Sequence, residues 1–198
     1  YSENMEKLDT WLMYHKAAPA RLRWRIRRHF KKARLQDPVD DASMIRDLTQ
    51  ELRSEIAFYV LPEAVRLNVT FSGLRNGALA ILVEVLKKES VSIGETIVSQ
   101  GDPGVAMYMI LEGSALVSGN FPKLPASHPG PDATHVLSAP DSFGEETIFG
   151  LQELYEYNVV ACRDILMYEL PLEDFRRSFK NLPELMTRML SNYKNSLQ

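Results

Sequence analysis

Apolar positions change their rhythm once along this chain. Over roughly the first third they recur three and four residues apart, the period of a helix with one buried face. Met5, Leu8 and Leu12 mark a first helix, and "AAPAR" breaks it, with Pro19 suited to the start of the next. Leu22, Ile26 and Phe30, with Ala33 close to their line, stripe that second helix. Asp40 or Asp41 can cap a short helix carrying Met44, Ile45 and Leu48. "TQELRSEIAFYVL" continues as a further helix with Leu52, Ile56 and Tyr59 or Val60 inward. The pattern predicts a string of helices rather than a bundle around one core.

From Glu89 the rhythm becomes that of short strands. "SVSIGETIVSQG", "VAMYMILEGSALVSG", "THVLSA", "EYNVVAC" and "ILMYEL" are rich in Val, Ile, Tyr and Thr and are bounded by turn residues. They predict a small β-barrel or jelly roll. "GALAILVEVLKK", with Leu79, Leu82 and Leu86 on one side, is a helix ahead of it. "PLEDFRRSF" and "LPELMTRMLSNYKN" are helices behind it, the second striped by Leu185, Met186, Met189 and Tyr193. The expected class is α+β: an N-terminal helical region followed by a β-roll flanked by helices.

Composition narrows the function classes. The 198 residues are 45% hydrophobic, enough to bury a core, and the net charge of −3 gives no general pull towards nucleic acid or anionic lipid. The single cysteine, Cys162, cannot form a disulfide within the monomer and is expected as a buried strand thiol. No apolar run is long enough to span a bilayer. The opening without a methionine suggests a piece of a longer protein, cut at a domain border. His15, His29, His128 and His135 lack metal-ligand spacing, and no nucleophile–base–acid set or Walker-type loop points to an enzyme. The proline-rich "GNFPKLPASHPGPDATH" reads as an exposed connection, with an interaction site as the alternative.

One local charge cluster stands out. Arg21, Arg23, Arg25, Arg27, Arg28, Lys31, Lys32 and Arg34 surround the second helix stripe with no acid among them. Such a face is either solvated, or binds lipid headgroups, RNA, calmodulin or an acidic neighbouring subunit. Acids that could answer it follow at Asp37, Asp40, Asp41 and Asp47.

Residues 70–198 resemble the cyclic-nucleotide-binding domain. The resemblance is carried by Phe71, Ile93-Gly94, Gly101, Gly104, Met107-Tyr108, Gly113 and Phe143-Gly144-Glu145. Residues 1–69, through "WLMYHKAAPARLRWRIRRHFKKAR" and "DDASMIRDLTQELRSEIAFYV", resemble the helical C-linker of hyperpolarisation-activated, cyclic-nucleotide-gated and ether-à-go-go-type cation channels. The resemblance implies a cytoplasmic regulatory region of a channel, potassium-conducting and voltage-gated or cyclic-nucleotide-gated. It further implies pore-forming transmembrane segments upstream and a homotetramer assembled through the linker, with no nucleic acid as partner. The rival class is a soluble cyclic-nucleotide-regulated switch.

For such a pocket the resemblance implies that the short helix after "FGE" offers backbone N–H groups to the cyclic phosphate of cAMP or cGMP. Glu145 would accept from the ribose hydroxyl, and an arginine beside a threonine or serine would pair with the phosphate. Phe143, Gly144, Glu145 and Glu146 are therefore candidate site residues. The arginine and threonine positions, however, fall on about Tyr155 and Glu156, neither of them cationic. Losing that charge-assisted contact weakens binding on the order of a hundredfold to a thousandfold. Arg163 is the nearest later cation, several strand residues away. The expectation is a retained scaffold with a weak or absent nucleotide clamp and no cofactor. Alternatives are an atypical phosphate site, or Tyr155 or Tyr157 filling the pocket. The base-capping position falls around Ser196.

Overall fold

The computed structural model describes residues 2–33, 41–124 and 134–198. Two compact units divide the chain: residues 1–62 with 74–84, and residues 63–73 with 85–198. Among the described residues no helix is long and apolar enough to cross a membrane.

The first unit is helical. It contains α1 (Ser2–Tyr14), α2 (Ala20–Ala33), α3 (Asp41–Arg46) and α4 (Gln50–Val60). The predicted stripes are buried where described: Leu8 and Leu12, Leu22 and Ile26, Met44, Ile45 and Leu48, then Leu52, Ile56 and Val60. Between Tyr59 and Val60 it is Val60 that turns inward. The Pro19 carbonyl accepts the first helical bond of α2, from the Arg23 N–H. Thr49 caps α4, its side chain accepting from the Leu52 N–H at 3.4 Å. Leu61 ends that helix in an extended conformation, the one a following proline enforces. The side chains of Met5, Phe30 and Ala33, and the proposed cap at Asp40, lie outside the described residues.

Among the described residues, acids of α1 and α4 meet the basic face. Arg25 donates to Glu55 at 2.6 Å and to Glu51 at 3.0 Å, both on α4, and Arg27 donates to Asp9 of α1 at 2.6 Å. Glu55 and Glu51 hold the Arg25 guanidinium above its ordinary pKa. Helix spacing brings these acids alongside, whereas Asp37 and Asp40 lie outside the described residues, as do the side chains of Arg28, Lys31, Lys32 and Arg34. Helix α6 (Asn76–Val85) joins this unit through Arg53 and Glu84, 3.1 Å apart. It stops at Val85, and the strand that follows begins at Lys87, earlier than the pattern of residues alone indicates.

The second unit is an eight-stranded antiparallel β-roll with flanking helices, the α+β class expected. One sheet runs in the order β1 (Lys87–Val91), β8 (Ile165–Pro171), β3 (Ala106–Glu112) and β6 (Ser142–Phe143). The other runs β2 (Thr96–Val98), β7 (Tyr157–Ala161), β4 (Ser114–Gly119) and β5 (Thr134–Ser138). Strand alternation sends Ala106, Tyr108 and Ile110 of β3 into the barrel core with Val117, Tyr157 and Val159. Met107 and Met109 are buried on the opposite face of β3, the strand that α5 (Glu63–Arg66) contacts. Helices α8 (Leu172–Phe179) and α9 (Pro183–Ser196) close the chain, with Met189 and Tyr193 fully inward and Leu185 and Met186 only half-buried.

Cys162 is exposed, contrary to the expected buried thiol. Strand β7 ends at Ala161, so Cys162 falls in the turn to β8, its N–H donating to the Ser114 carbonyl at 2.9 Å.

Candidate functional site

The site grows from a backbone constraint at Gly144. This residue has φ +88°, and a Cβ built there would stand 2.5 Å from the Ala106 carbonyl oxygen of β3. Only glycine adopts this conformation cheaply at such close approach. The chain thereby turns from β6 into the four-residue helix α7 (Glu145–Ile148), which is buried throughout. Phe143, the residue before, is a core side chain stacked on Tyr108 with ring centroids 5.0 Å apart.

Glu145 is 0% exposed, and its carboxylate is already held. The Lys123 ammonium donates to its Oε1 at 2.5 Å, and the Ser142 hydroxyl donates to the same oxygen. Lys123 also reaches the Ser142 carbonyl at 2.7 Å and the Ser142 Oγ at 2.9 Å. Asn68 donates to that Oγ from behind at 2.8 Å. Among the described residues Glu145 Oε2 has no hydrogen-bond partner.

Glu146 points to a different neighbourhood. It accepts from the Tyr157 hydroxyl at 2.6 Å, and the hydroxyl of Tyr193 on α9 acts on the same carboxylate. Burial raises the Glu146 carboxyl above its ordinary pKa, and the Tyr157 hydrogen bond opposes that only in part. Burial likewise raises the Tyr157 and Tyr193 hydroxyls.

At the arginine position the structure places a structural tyrosine. Tyr155 is buried, and its hydroxyl donates to the Ala106 carbonyl at 2.7 Å while accepting from the N–H groups of Val105 and Ala106 at 3.3 and 3.2 Å. Glu156 is half-exposed and does not join the others: it lies in the bend before β7 and accepts from the Asn120 side-chain amide. Arg163 is exposed in the turn after β7, and the Ser196 hydroxyl is spent on the Tyr193 carbonyl. Of the expected residues, Phe143, Gly144, Glu145, Glu146 and Tyr155 thus gather around α7 and β3, while Glu156 stands apart.

Sequence reasoning missed Lys123, placing it in a mere connection. Its neighbours show that the start of this loop belongs to the barrel: Phe121 is buried and meets Tyr157 edge-on at 5.0 Å. The available signal was an aromatic and a lysine two residues apart, directly after a strand. Residues 125–133 of the same loop lie outside the described residues.

Residues 88–181 match the cyclic nucleotide-binding domain family. A cyclic nucleotide-gated cation channel of Ictalurus punctatus is 31% identical over 114 residues, covering 58% of this chain and 16% of the channel. The voltage-gated delayed rectifier potassium channel KCNH4 of Rattus norvegicus is 26% identical over 171 residues, covering 78% of this chain and 16% of that one. Among solved structures, the C-linker/CNBHD of zELK channels, crystallized in the presence of cAMP, aligns with 100% of this chain and 96% of its own at TM-score 0.60 and 22% identity. The N-terminal domain of a transcriptional regulator from Streptomyces coelicolor A3(2) aligns with 69% of this chain and 93% of its own at TM-score 0.56 and 21% identity. The chain spans 16% of the length of the curated channels it matches.

Proposed function

We propose, from the match of residues 88–181 to the cyclic nucleotide-binding domain family and from the similarity to cyclic nucleotide-gated and KCNH channels, that this chain is the cytoplasmic regulatory region of a tetrameric, potassium-conducting cation channel. In this reading residues 1–69 are the helical linker through which subunits assemble, and residues 70–198 are the binding domain. Pore-forming segments precede them in the full-length protein. The barrel biases the pore mainly as a mechanical coupler, because cyclic nucleotide binds weakly or not at all.

One observation carries the weak binding. The carboxylate that would accept from a ribose hydroxyl is buried and bonded to Lys123 and Ser142, and the residue at the phosphate-arginine position is Tyr155, spent on backbone. A ligand must displace an internal ion pair and still finds no guanidinium for its phosphate. An unpaired buried charge costs about 3–5 kcal/mol, which removes two or more decades of affinity. The competing reading, a working sensor, would have Lys123 swing from Glu145 to the phosphate.

Calorimetric titration of this chain with cAMP and with cGMP decides between them. Flat heats up to millimolar nucleotide are expected. Micromolar affinity that disappears in Lys123→Ala would establish Lys123 as the phosphate cation and overturn the coupler reading.

A further inference from the structure

Among the described residues, each group that the Lys123 ammonium reaches accepts from it: the Ser142 carbonyl, the Ser142 Oγ and Glu145 Oε1, at 2.7, 2.9 and 2.5 Å, the Ser142 hydroxyl giving its own proton to Glu145. A phosphate site presents donors and positive charge, so this one has the opposite sign. A second observation is independent of the ion pair: Glu145 Oε2 is buried and, among the described residues, unpartnered, on a side chain with no exposed surface. The site holds more acceptor capacity than its resident cation uses. Glu146 is also close enough for Lys123 to act on its charge.

We propose that this part of the pocket is a receptor for a primary ammonium ion, with Lys123 as its tethered occupant. The ligand class it selects is a small alkylammonium, able to donate several N–H bonds at once, and not a phosphate anion. Tethering is efficient because Phe121, two residues before, is anchored edge-on to Tyr157 and presents the lysine stem at the site. The inference rests on the reading of this pocket as a poor nucleotide site, and it adds what the pocket holds instead.

Thermal unfolding of Lys123→Ala tests it. The substitution leaves Glu145 buried without its counter-ion, and a fall in Tm on the order of 10 °C is expected. n-Propylammonium chloride, which replaces the missing stem and head, should recover much of that fall, with a shift that grows with concentration. Tetramethylammonium, sodium and n-propanol at matched concentration should not, and neither the wild type nor Lys123→Ala/Glu145→Gln should respond to propylammonium. Equal recovery by all salts, or none by propylammonium, overturns the proposal.

Should Lys123→Ala fail to fold, reductive methylation of the wild type gives a second readout. Lys123 should react roughly tenfold more slowly than exposed Lys88 and Lys180, and Glu145→Gln should abolish the difference. Methylation of Lys123 at the rate of Lys88 in the wild type also overturns it. Flat nucleotide heats without propylammonium recovery would defeat this inference alone; micromolar nucleotide affinity with recovery intact would defeat only the functional reading.

Discussion

Tyr155→Phe isolates the hydroxyl of a residue proposed above to occupy the phosphate-arginine position. In the wild type that oxygen serves three backbone groups of the β3 start: it donates to the Ala106 carbonyl at 2.7 Å and accepts from the Val105 and Ala106 amides at 3.3 and 3.2 Å. Thr147 Oγ1 lies 3.3 Å from the Ala106 carbonyl, but its single proton already serves the nearer Gly144 carbonyl at 2.8 Å, so rescuing that acceptor costs the Gly144 bond. The two amides lose this acceptor, Ala106 inside the barrel wall and Val105 at its rim. At about 1–3 kcal/mol for a buried unsatisfied group, discounted for the long bonds, the loss is about 2–4 kcal/mol. Urea unfolding followed by circular dichroism should show a lower midpoint with an unchanged slope, since the surface exposed on unfolding is the same. Amide exchange at Val105 and Ala106 should accelerate in parallel. A loss below about 0.5 kcal/mol with exchange at Ala106 unaltered would refute the assignment of Tyr155 as a strand clamp.

Two further outcomes follow from the same neighbourhood. Gly144→Ala combines a left-handed backbone with a Cβ 2.5 Å from the Ala106 carbonyl, so it should cost at least about 2 kcal/mol, read as a lowered melting temperature; a wild-type melt would contradict the close approach of α7 to β3. Glu146 has its carboxyl pKa raised by burial, so the folded state binds that proton more tightly than the unfolded chain does. Its contribution is complete below the unfolded value of about 4.3 and is lost as pH rises towards the folded value. Tyr157, Tyr193, Glu145 and Lys123 all act on this carboxyl, so Glu146→Gln should flatten the fall of stability with pH across that window. Parallel pH–stability curves for the two proteins would refute the buried-acid account.

The strands and helices were legible because their burial is periodic. Alternation exposed β7 and β8, three-and-four spacing exposed α1, α2 and α4, and "FGE" announced the turn at Gly144. What was not legible depends on contacts made across the chain. Cys162 looks like the next inward position of β7 unless one knows that the strand ends at Ala161 to let the turn to β8 bond to Ser114. The basic face of α2 looks uncompensated until folding brings Asp9, Glu51 and Glu55 beside it. Lys123 is the sharpest case: its partner Glu145 lies twenty-two residues away, and nothing local in "NFPKLP" requires a cation there. The absence of an arginine could be read from one segment, but the identity of the group that satisfies Glu145 could not.

The internal pair has a mechanical consequence within the barrel unit. Ser142, which holds Lys123 through both its oxygens, accepts from Asn68, and the other end of the Asn68 amide accepts the Thr70 N–H at 3.0 Å, capping the 3-10 turn Val69–Phe71. Helix α9 hangs on the same turn: Asn192 donates to the Thr70 and Ser72 carbonyls at 3.2 and 2.9 Å, and Arg188 donates to the Gly73 carbonyl at 2.9 Å. Four hydrogen-bonded steps therefore join the occupant of the Glu145 site to the seat of the terminal helix. An occupant can shift that helix only through a difference in affinity between its two positions. Lys123 donates to both oxygens of Ser142, the residue whose Oγ receives Asn68. On the reading proposed above, this series of bonds is the route by which an occupant of the Glu145 site would reach α9.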